Sequence, residues 1–309
     1  MAYKIINGDC KKELDYKKFK KIDFYPVRKD GLSNGVYKGI DLTFLDPPFN
    51  QGKDYAEHND NLPDEVYWRW MHDICSNIYG LTSQGGAIYF MQREKNAEYV
   101  LEALRKSGWN LQNLIIWKKK SSAVPCSNKF GKHYQVIAFA IKGKKTRVFN
   151  RLRINPPLPS EYKFERENGM YATDVWDDIR ELTSGYFAGD EAIRKPDNER
   201  FHKQQAPLAL LLRIILSSTN IGDTVLDPFA GTGTTLVAAE QLKRNSIGIE
   251  VDKKNTRCIE DRLENIREAD DIQKYYKDYR YTENLEQIWE MDIKGSLNVR
   301  KNKQAYLFR

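Results

Sequence analysis

The sequence predicts an α/β protein with a doubly wound, mostly parallel sheet. Apolar strand-like runs alternate with helical spacing in residues 1–141, and the same alternation resumes at Ala206. In the second stretch, a glycine-rich turn separates the apolar run Thr224–Leu226 from a helical segment. Strands that alternate with helices form a parallel sheet with helices on both faces, and such turns bind nucleotides in these folds.

Each predicted element rests on a local pattern. Short apolar runs bounded by turn residues predict strands: one from Tyr3 that ends in a turn by Cys10, then Ile40–Leu45, Ala87–Phe90 after a turn at Gly85-Gly86, Leu114–Trp117, Val136–Ala140, Thr224–Leu226 and Ser246–Ile249. Apolar residues at helical spacing predict helices over Asp64–Tyr79, Asn96–Ser107, Ala206–Ser218, Thr234–Leu242 and Asp252–Glu268. A lysine-rich stretch before Asp41 predicts a helix followed by a polar loop.

The same pass divides the chain into four segments. Residues 1–141 and 201–268 carry the strand–helix alternation, whereas residues 142–200 lose it and are predicted to form an inserted, irregular region. Residues 269–309 are predicted to form a charged, partly helical appendage.

Composition excludes several classes of protein. Hydrophobic residues make up 40% of the chain and charged residues 30%, which is typical of a globular protein. The cysteines and histidines are dispersed, so no disulfide framework and no metal site are predicted. The apolar stretch Leu208–Leu216 is interrupted by Arg213 and is too short to span a bilayer. The amino terminus lacks the shape of a signal peptide, which favours the cytoplasm.

The distribution of the net charge of +7 points to nucleic acid. Residues 103–160 contain no aspartate or glutamate, and their basic residues are interleaved with aromatic ones. Such a surface attracts phosphates, although a merely solvated basic face would have the same composition. The candidate DNA-binding residues are Lys118, Lys119, Lys120, Lys129, Lys132, Arg147, Arg151 and Arg153.

A candidate cofactor motif follows the run Thr224–Leu226. It reads Asp227-Pro228-Phe229-Ala230-Gly231-Thr232-Gly233, and Glu250 ends the next predicted strand. Glycines let the backbone approach a nucleotide, and an acidic residue at that distance can accept the ribose hydroxyls. No Gly-Lys-Ser/Thr follows, so a P-loop is excluded, and a missing third glycine disfavours a dinucleotide fold. The alternative is a glycine turn needed only for packing.

A candidate catalytic corner, Asp46-Pro47-Pro48-Phe49, follows Ile40–Leu45 directly. The amino group of adenine or cytosine is a poor nucleophile because its lone pair is delocalised into the ring. Hydrogen bonds to the Asp46 carboxylate and the Pro47 carbonyl would favour a tetrahedral nitrogen, and Phe49 could stack on the base. The base must leave the duplex to reach this corner. The alternative is an ordinary proline turn with a capping aspartate.

Together these motifs resemble the AdoMet-dependent DNA amino-methyltransferases of the beta class, in which the catalytic motif precedes the AdoMet motif. The resemblance covers most of residues 1–268 and implies a permuted class I methyltransferase fold. It implies that Asp46–Phe49 is catalytic, that residues 142–200 are the target-recognition region, and that AdoMet contacts Asp9, Cys10, Asp46, Gln205, Pro207, Asp227, Phe229, Ala230, Gly231, Thr232, Gly233, Thr234, Thr235 and Glu250.

The chain departs from the family at Ala206, where a lysine is usual. The resemblance then implies that Gln205 and the Thr234-Thr235 end of the loop hold the carboxylate of AdoMet. The segment between Asp9 and Asp46 is also long for the family.

The predicted function is methylation of an amino group in a short site of double-stranded DNA by a bacterial, nucleoid-associated enzyme of the restriction–modification type. An aspartate at position 46 favours N6 of adenine, and N4 of cytosine stays open. An RNA or protein-glutamine methyltransferase and a non-catalytic DNA-binding module are the competing hypotheses. A restriction endonuclease would act on the same site. A homodimer is suggested by the resemblance, and residues 68–71 are either its surface or part of the core.

Overall fold

The computed structural model describes residues 2–19, 21–22, 25–26, 39–53, 59–120, 126–155, 166–182, 189–195, 197–201 and 205–289. Residues 202–204, which directly precede Gln205 of the predicted cofactor site, lie outside the described residues.

One large sheet organises the described residues. In chain order, its strands are β1 (Ala2–Asn7), β2 (Tyr25–Pro26), β3 (Ile40–Leu45), β4 (Thr82–Arg93), β5 (Trp109–Lys118), β6 (Tyr134–Lys142), β9 (Val175–Trp176), β10 (Thr224–Asp227) and β11 (Asn245–Glu250), and a separate pair is formed by β7 (Arg153–Ile154) and β8 (Met170–Tyr171). The order across the sheet is β2-β1-β11-β10-β3-β4-β6-β5-β9. The strands from β1 to β4 in this order are parallel, and β6 runs against β4 and β5. The predicted mostly parallel, doubly wound sheet is confirmed.

Helices cover both faces of the sheet. They are α1 (Cys10–Glu13), α2 (Tyr16–Phe19), α3 (Asp64–Leu81), α4 (Ala97–Lys106), α5 (Leu208–Ser218), α6 (Thr234–Gln241), α7 (Lys253–Glu264), α8 (Tyr276–Tyr279) and α9 (Leu285–Ile288). One core cluster joins α3 and α4 to the sheet, and a second joins α5 and part of α6 to the opposite face. Helix α5 is apolar on all sides and is therefore buried throughout, with its single charge, Arg213, paired with Asp178.

Strand β4 begins earlier than the sequence predicted. The predicted turn at Gly85-Gly86 lies inside this strand, at a shift in its register with β3. Gly85 has a φ of 77°, and a Cβ there would lie 2.7 Å from backbone atoms of Lys145 and Arg147. The glycines thus allow an irregularity in the strand, which an apolar-run pattern alone does not distinguish from a turn.

Part of the predicted appendage packs against the central core. Ile272, Tyr279, Ile288 and Trp289 are buried in the same cluster as α5. The sequence did not predict this packing, because the helices of the segment are only four residues long and are too short to show a helical period of apolar residues. The division of the chain into four segments itself stays a prediction.

No helix in the described part of the chain is long and apolar enough to cross a membrane. Among the same residues, no three or more His, Cys, Asp or Glu side chains are grouped as metal ligands would be.

Candidate active site

Two buried side chains, Tyr67 and Gln92, hold the Asp46-Pro47-Pro48-Phe49 corner in place. The hydroxyl of Tyr67, on α3, donates to the carbonyl oxygen of Pro48 at 2.7 Å. The amide Nε2 of Gln92, on β4, in turn donates to the Tyr67 hydroxyl at 3.0 Å. Both polar groups are buried in otherwise apolar surroundings, where a partly satisfied group would be costly, so the three form one locked unit.

Asp46 lies at the carboxyl end of β3, and no described residue donates a hydrogen bond to its carboxylate. Burial holds the pKa of Asp46 well above its usual range, repulsion from Asp227 raises it further, and Lys53 opposes both. No described donor is bonded to the carbonyl oxygen of Pro47 either. The corner therefore presents two acceptors that the described protein groups leave open.

The other members of the corner are more enclosed than the sequence suggested. Phe49 is 6% exposed and packs in the core cluster on the α5 face. Little of its surface is therefore available for stacking on a base. Its burial also anchors the corner to the sheet, a structural role that the motif alone does not reveal.

The loop after the corner is wrapped around one buried carboxylate. Asp60 accepts hydrogen bonds from the backbone N–H groups of Asn50 at 2.7 Å, Gln51 at 3.2 Å and Lys53 at 3.0 Å. Asp60 is 2% exposed. These bonds hold the position of Lys53 relative to Asp46.

The glycine loop lies one strand away, because β10 neighbours β3. The Asp227 carboxylate accepts from the Phe229 N–H at 3.0 Å and from the Thr235 hydroxyl at 2.5 Å. Burial raises the pKa of Asp227 to about 7, and these two hydrogen bonds oppose the shift. Gly233 has a φ of 81°, and a Cβ there would lie 2.8 Å from Ile259. A side chain at this position would displace the loop, so glycine is required.

Glu250 ends β11 on the far side of β10. Its carboxylate accepts from the N–H of Gly231 at 2.8 Å, the N–H of Asp252 at 2.9 Å and the amide of Asn255 at 3.2 Å. A carboxylate has about four acceptor positions, so about one remains for a ligand hydroxyl. A second hydroxyl would have to replace one of the three donors. Burial raises the pKa of Glu250, and its three hydrogen bonds oppose the shift.

Strand β1 brings the predicted Asp9-Cys10 element to this edge. Asn7 pairs with Glu250, and the Gly8 N–H donates to the Glu250 carbonyl at 2.9 Å. The Asp9 carboxylate caps α1 by accepting from the Lys11 N–H at 2.9 Å. Cys10 is buried, which raises the pKa of its thiol and keeps it protonated.

A buried ion network supports the glycine loop from behind. Arg262, on α7, donates to the Thr232 carbonyl and to Asp270, which is fully buried. Asp270 also pairs with Arg267, which donates to the Glu191 carbonyl at 2.9 Å. The network therefore joins the loop to residues of the irregular region.

Gln205 belongs to this support. Its side-chain oxygen accepts from the Ile193 N–H at 3.1 Å, and its nitrogen donates to the Glu191 carbonyl at 3.0 Å. The Glu191 carboxylate accepts from the Leu208 N–H at the first turn of α5, directly after Pro207. The amide predicted to hold the cofactor carboxylate is thus used within the protein, as is the hydroxyl of Thr235.

The remaining loop residues line the same edge. Phe229 is half-buried, and its ring meets that of Trp70 edge-on at 5.6 Å. Ala230, Gly231 and Thr234 complete the turn into α6. Of the predicted dimer surface, Met71 is fully buried, whereas Trp68 stacks on Tyr99 at the surface.

The predicted DNA-binding residues fall into two groups. Lys118 ends β5, Lys119 and Lys120 follow it, and Lys129 and Lys132 precede β6. All five therefore lie at the end of the sheet that carries Asp46. Lys132 pairs with Glu94 at 3.2 Å.

The arginines lie elsewhere. Arg147 pairs with Asp41 and Asp223 at the opposite ends of β3 and β10, so its charge is neutralised far from the corner. Arg151 and Arg153 stack over Tyr171, beside β7 and β8. The acid-free stretch misled here because Asp41 and Asp223 are distant in sequence.

Sequence reasoning missed Tyr67, Gln92, Asp60 and Lys53. A signal was present for Gln92, which is a polar residue inside an apolar strand and must therefore find a buried partner. Its partner, Tyr67, was indistinguishable from other aromatic residues of α3.

This geometry suits methyl transfer to an amine. The open acceptors of the corner can take both N–H groups of a planar base, while the glycine loop, with Glu250 beside it, fits a nucleoside cofactor. The strand spacing of about 4.8 Å between β3 and β10 brings the two sites into contact distance.

Comparison with known proteins agrees with this geometry. Residues 40–261 match the family model N6_N4_Mtase, described as DNA methylase. The chain is 31% identical over 234 residues to the type II methyltransferase M.HpaI of Haemophilus parainfluenzae, covering 75% of this chain and 71% of that protein. It is 30% identical over 233 residues to the DNA adenine methyltransferase YhdJ of Escherichia coli K12, covering 69% of this chain and 72% of that protein.

Solved structures show the same fold. The cytosine-N4-specific PvuII DNA methyltransferase superposes with a TM-score of 0.60 at 16% identity, over 92% of this chain and 94% of that chain. The M1.HpyAVI–SAM complex superposes with a TM-score of 0.54 at 22% identity, over 84% of this chain and 98% of that chain.

Proposed function

Because the chain belongs to the N6/N4 DNA methylase family, we propose that it methylates N6 of adenine in a short site of double-stranded DNA. It is a DNA methyltransferase, and its cofactor is S-adenosylmethionine. What the proposal adds is the choice of base, the form of the DNA and the roles of individual residues.

The observation that carries the proposal is the pair of open acceptors at Asp46 and Pro47. AdoMet supplies an electrophilic methyl group. The Asp46 carboxylate and the Pro47 carbonyl accept the two N–H bonds of the target amine, which localises its lone pair toward the cofactor side. A methylated amine would have one proton to lose, and the Asp46 carboxylate would accept it. Tyr67 keeps the corner fixed during this step.

The residues of the glycine loop are assigned to the cofactor. Glu250 takes a ribose hydroxyl, Asp9 and Cys10 border the adenine, and the loop from Asp227 to Thr235 borders the methionine part. For Gln205 and Pro207 we assign support of the loop through Glu191, since the Gln205 amide is already bonded there.

Adenine is favoured over cytosine on two grounds. The corner begins with aspartate, which is typical of N6-adenine enzymes, and one relative that covers much of the chain is named a DNA adenine methyltransferase. The base reaches the corner by leaving the duplex, because Asp46 lies in a half-buried recess.

The setting of the enzyme is part of the proposal. Relatives are type II methyltransferases of bacteria, so we assign this chain to a restriction–modification system in the bacterial cytoplasm, where a cognate endonuclease would cut the same unmethylated site. A homodimer is included, with the Trp68 and Tyr99 surface as its candidate contact.

Base analysis tests the proposal. The protein is incubated with AdoMet and unmethylated genomic DNA, and the digested nucleosides are identified by mass spectrometry. N6-methyladenine is expected, and N4-methylcytosine would overturn the choice of base while keeping the mechanism. Asp46→Ala should abolish transfer and spare AdoMet binding by calorimetry; unchanged turnover in this variant would refute the role of the corner.

A further inference from the structure

Two cationic side chains lie at the same end and on the same face of the sheet as Asp46. Arg93 ends β4, two residues after Met91, which is buried on the α5 face. Lys119 follows β5, two residues after Trp117 of the same face, and its N–H continues the ladder by donating to the His133 carbonyl at 2.8 Å. Since side chains alternate between faces, Arg93 and Lys119 share the face of Met91 and Trp117.

Lys53 adds a third charge to this group. The Asp60 carboxylate holds its backbone N–H at 3.0 Å. Partial burial lowers the pKa of Lys53; Asp60 and Asp46 oppose that shift, whereas Lys119 and Arg93 reinforce it. The ammonium therefore lies within the field of both neighbouring cations and of the catalytic carboxylate.

These three cations differ from the lysines of the described chain that have a carboxylate partner. No described carboxylate is bonded to Lys53, Arg93 or Lys119, whereas Lys132 pairs with Glu94 at 3.2 Å and Lys11 with Asp73 at 2.7 Å. Holding like charges together in a half-buried recess costs free energy. An anionic ligand would offset that cost.

The order of the strands indicates which ligand supplies the anion. The glycine loop and Glu250 lie at the ends of β10 and β11, on one side of β3, whereas Arg93 and Lys119 lie at the ends of β4 and β5, on the other, and Lys53 follows the corner itself. Asp46 stands between them. The cofactor is thus separated from the cations by the corner that receives the base, and an anion on the cation side belongs to the substrate.

We propose that Lys53, Arg93 and Lys119 form one binding site for a phosphodiester of the DNA strand that carries the target base. The inference rests on the proposed function, because an extruded base carries its flanking phosphate toward the corner. The planar fork of Arg93 suits two phosphate oxygens, and the lysines neutralise the remaining charge. The site fixes how deeply the base enters the recess.

The salt dependence of DNA binding tests the proposal. Lys53→Gln, Arg93→Gln, Lys119→Gln and the triple variant are titrated with a short mixed-sequence duplex, and with a single strand, at several salt concentrations without AdoMet. Each single variant should weaken binding about tenfold. A plot of the logarithm of the binding constant against the logarithm of the salt concentration has a slope that counts the neutralised phosphates. In the triple variant this slope should be smaller by about one, since one phosphate is bound. A slope loss of about one for each residue would show three separate phosphates and overturn the single site.

The control is Arg105→Gln, which removes the same charge from an exposed position. Arg105 lies in the last turn of α4, whereas Arg93 precedes the start of this helix. Its effect should be much smaller than that of Arg93→Gln. If both variants weakened DNA binding equally, the cluster would contribute only through the net positive charge of the protein, and the proposal would be refuted.

A methylphosphonate scan locates the phosphate. Once the methylated base is mapped, single neutral linkages are placed around it in the duplex. The wild-type protein should lose about tenfold in affinity at one linkage next to the target base, and the triple variant should be indifferent there. Loss at that linkage in both proteins would refute the site.

Calorimetry with AdoMet alone separates the other source of an anion. Unchanged AdoMet affinity in the triple variant is expected, and a loss would assign the cluster to the cofactor carboxylate instead. The salt titration needs no methylated product, so a failure of the proposed choice of base leaves this test in force.

Discussion

The two halves of the active site treat their carboxylates in opposite ways. On the proposed cofactor side, Asp227 and Glu250 are buried and each accepts at least two hydrogen bonds, from donors such as the N–H groups of Phe229 and Gly231. On the base side, Asp46 is half-buried and has no described donor. Most hydrogen bonds of the first arrangement are formed before any ligand arrives, whereas those of the second are left to the substrate.

This difference is reflected in the pKa of the carboxylate in each half. Hydrogen bonds oppose the effect of burial at Asp227, so its pKa rises only to about 7. At Asp46 only Lys53 opposes burial, and the pKa lies well above its usual range. An acceptor kept open for a transient amine is therefore the least stabilised charge of the site.

The largest expected effect tests the open acceptor directly. Asp46→Asn replaces one acceptor oxygen by a donor that opposes the amine N–H, so kcat should fall by about a thousandfold. AdoMet affinity should stay within a factor of about three, since the half that binds the cofactor is untouched. Single-turnover transfer and calorimetry measure the two quantities.

The stability of the same variant tests whether Asp46 has a structural role. Removing an uncompensated buried charge should leave the free energy of unfolding of Asp46→Asn unchanged or about 1 kcal/mol higher. A clear loss in urea denaturation would mean that Asp46 is a structural residue and that the corner is not open.

On the cofactor side, Glu250→Gln should act on binding instead of chemistry. The amide keeps one acceptor but turns a donor toward the N–H groups of Gly231 or Asp252, so AdoMet affinity should fall by about thirtyfold. At saturating AdoMet, kcat should recover to within about threefold. Glu260→Gln makes the same change on an exposed part of α7 and should alter neither value.

The sequence predicted the parts of the site that are contiguous. The corner and the glycine loop each follow a strand, so their residues identify themselves by order and spacing. Glu250 was found for the same reason, because it ends the next strand. These features depend on local backbone geometry, which short sequence patterns encode.

The parts that sequence could not predict depend on tertiary neighbours. Arg147 was assigned to DNA from composition, but Asp41 and Asp223 reach it from other ends of the chain. Gln205 was assigned to the cofactor, but Glu191 and Ile193 occupy its amide. A side chain's partners follow from packing over long distances, and no pattern of spacing contains them.

The lock beneath the corner should show an intermediate effect. Tyr67→Phe removes the hydrogen bond to Pro48 and leaves Gln92 without its partner, so kcat should fall about tenfold and unfolding should need about 1 kcal/mol less. Tyr99→Phe is the matched control, because it removes the same hydroxyl from an exposed ring.

A second variant separates position from stability in this lock. In Tyr67→Phe with Gln92→Leu, the unpaired Nε2 donor is gone, but the hydrogen bond from the Arg93 N–H to Gln92 Oε1 at 2.9 Å is lost as well. The free energy of unfolding should therefore return only part of the way toward that of the wild type. The corner would still lack its donor, so kcat should stay low. Recovery of both together would mean that Tyr67 acts only through stability.

The smallest expected effect is a pH dependence that belongs to the cofactor side. The pKa of Asp227 is raised to about 7 by burial, so this carboxylate is partly protonated at neutral pH. A cationic cofactor prefers the ionised form, and AdoMet affinity should therefore rise about twofold between pH 7 and pH 8 and fall more steeply below pH 7. Asp227→Asn keeps an acceptor for the Phe229 N–H and should flatten this profile.

The sign of the stability effect is opposite, which makes the assignment testable. A folded-state pKa above the unfolded value means that the native state takes up the proton first. The contribution of Asp227 to the free energy of unfolding should therefore increase as the pH falls from about 8 toward about 4. Asp227→Asn should lose that increment, as measured by urea denaturation across the range. If affinity and stability instead rose together with pH, another group would be titrating, and the contrast between the satisfied and the open carboxylates would have to be redrawn.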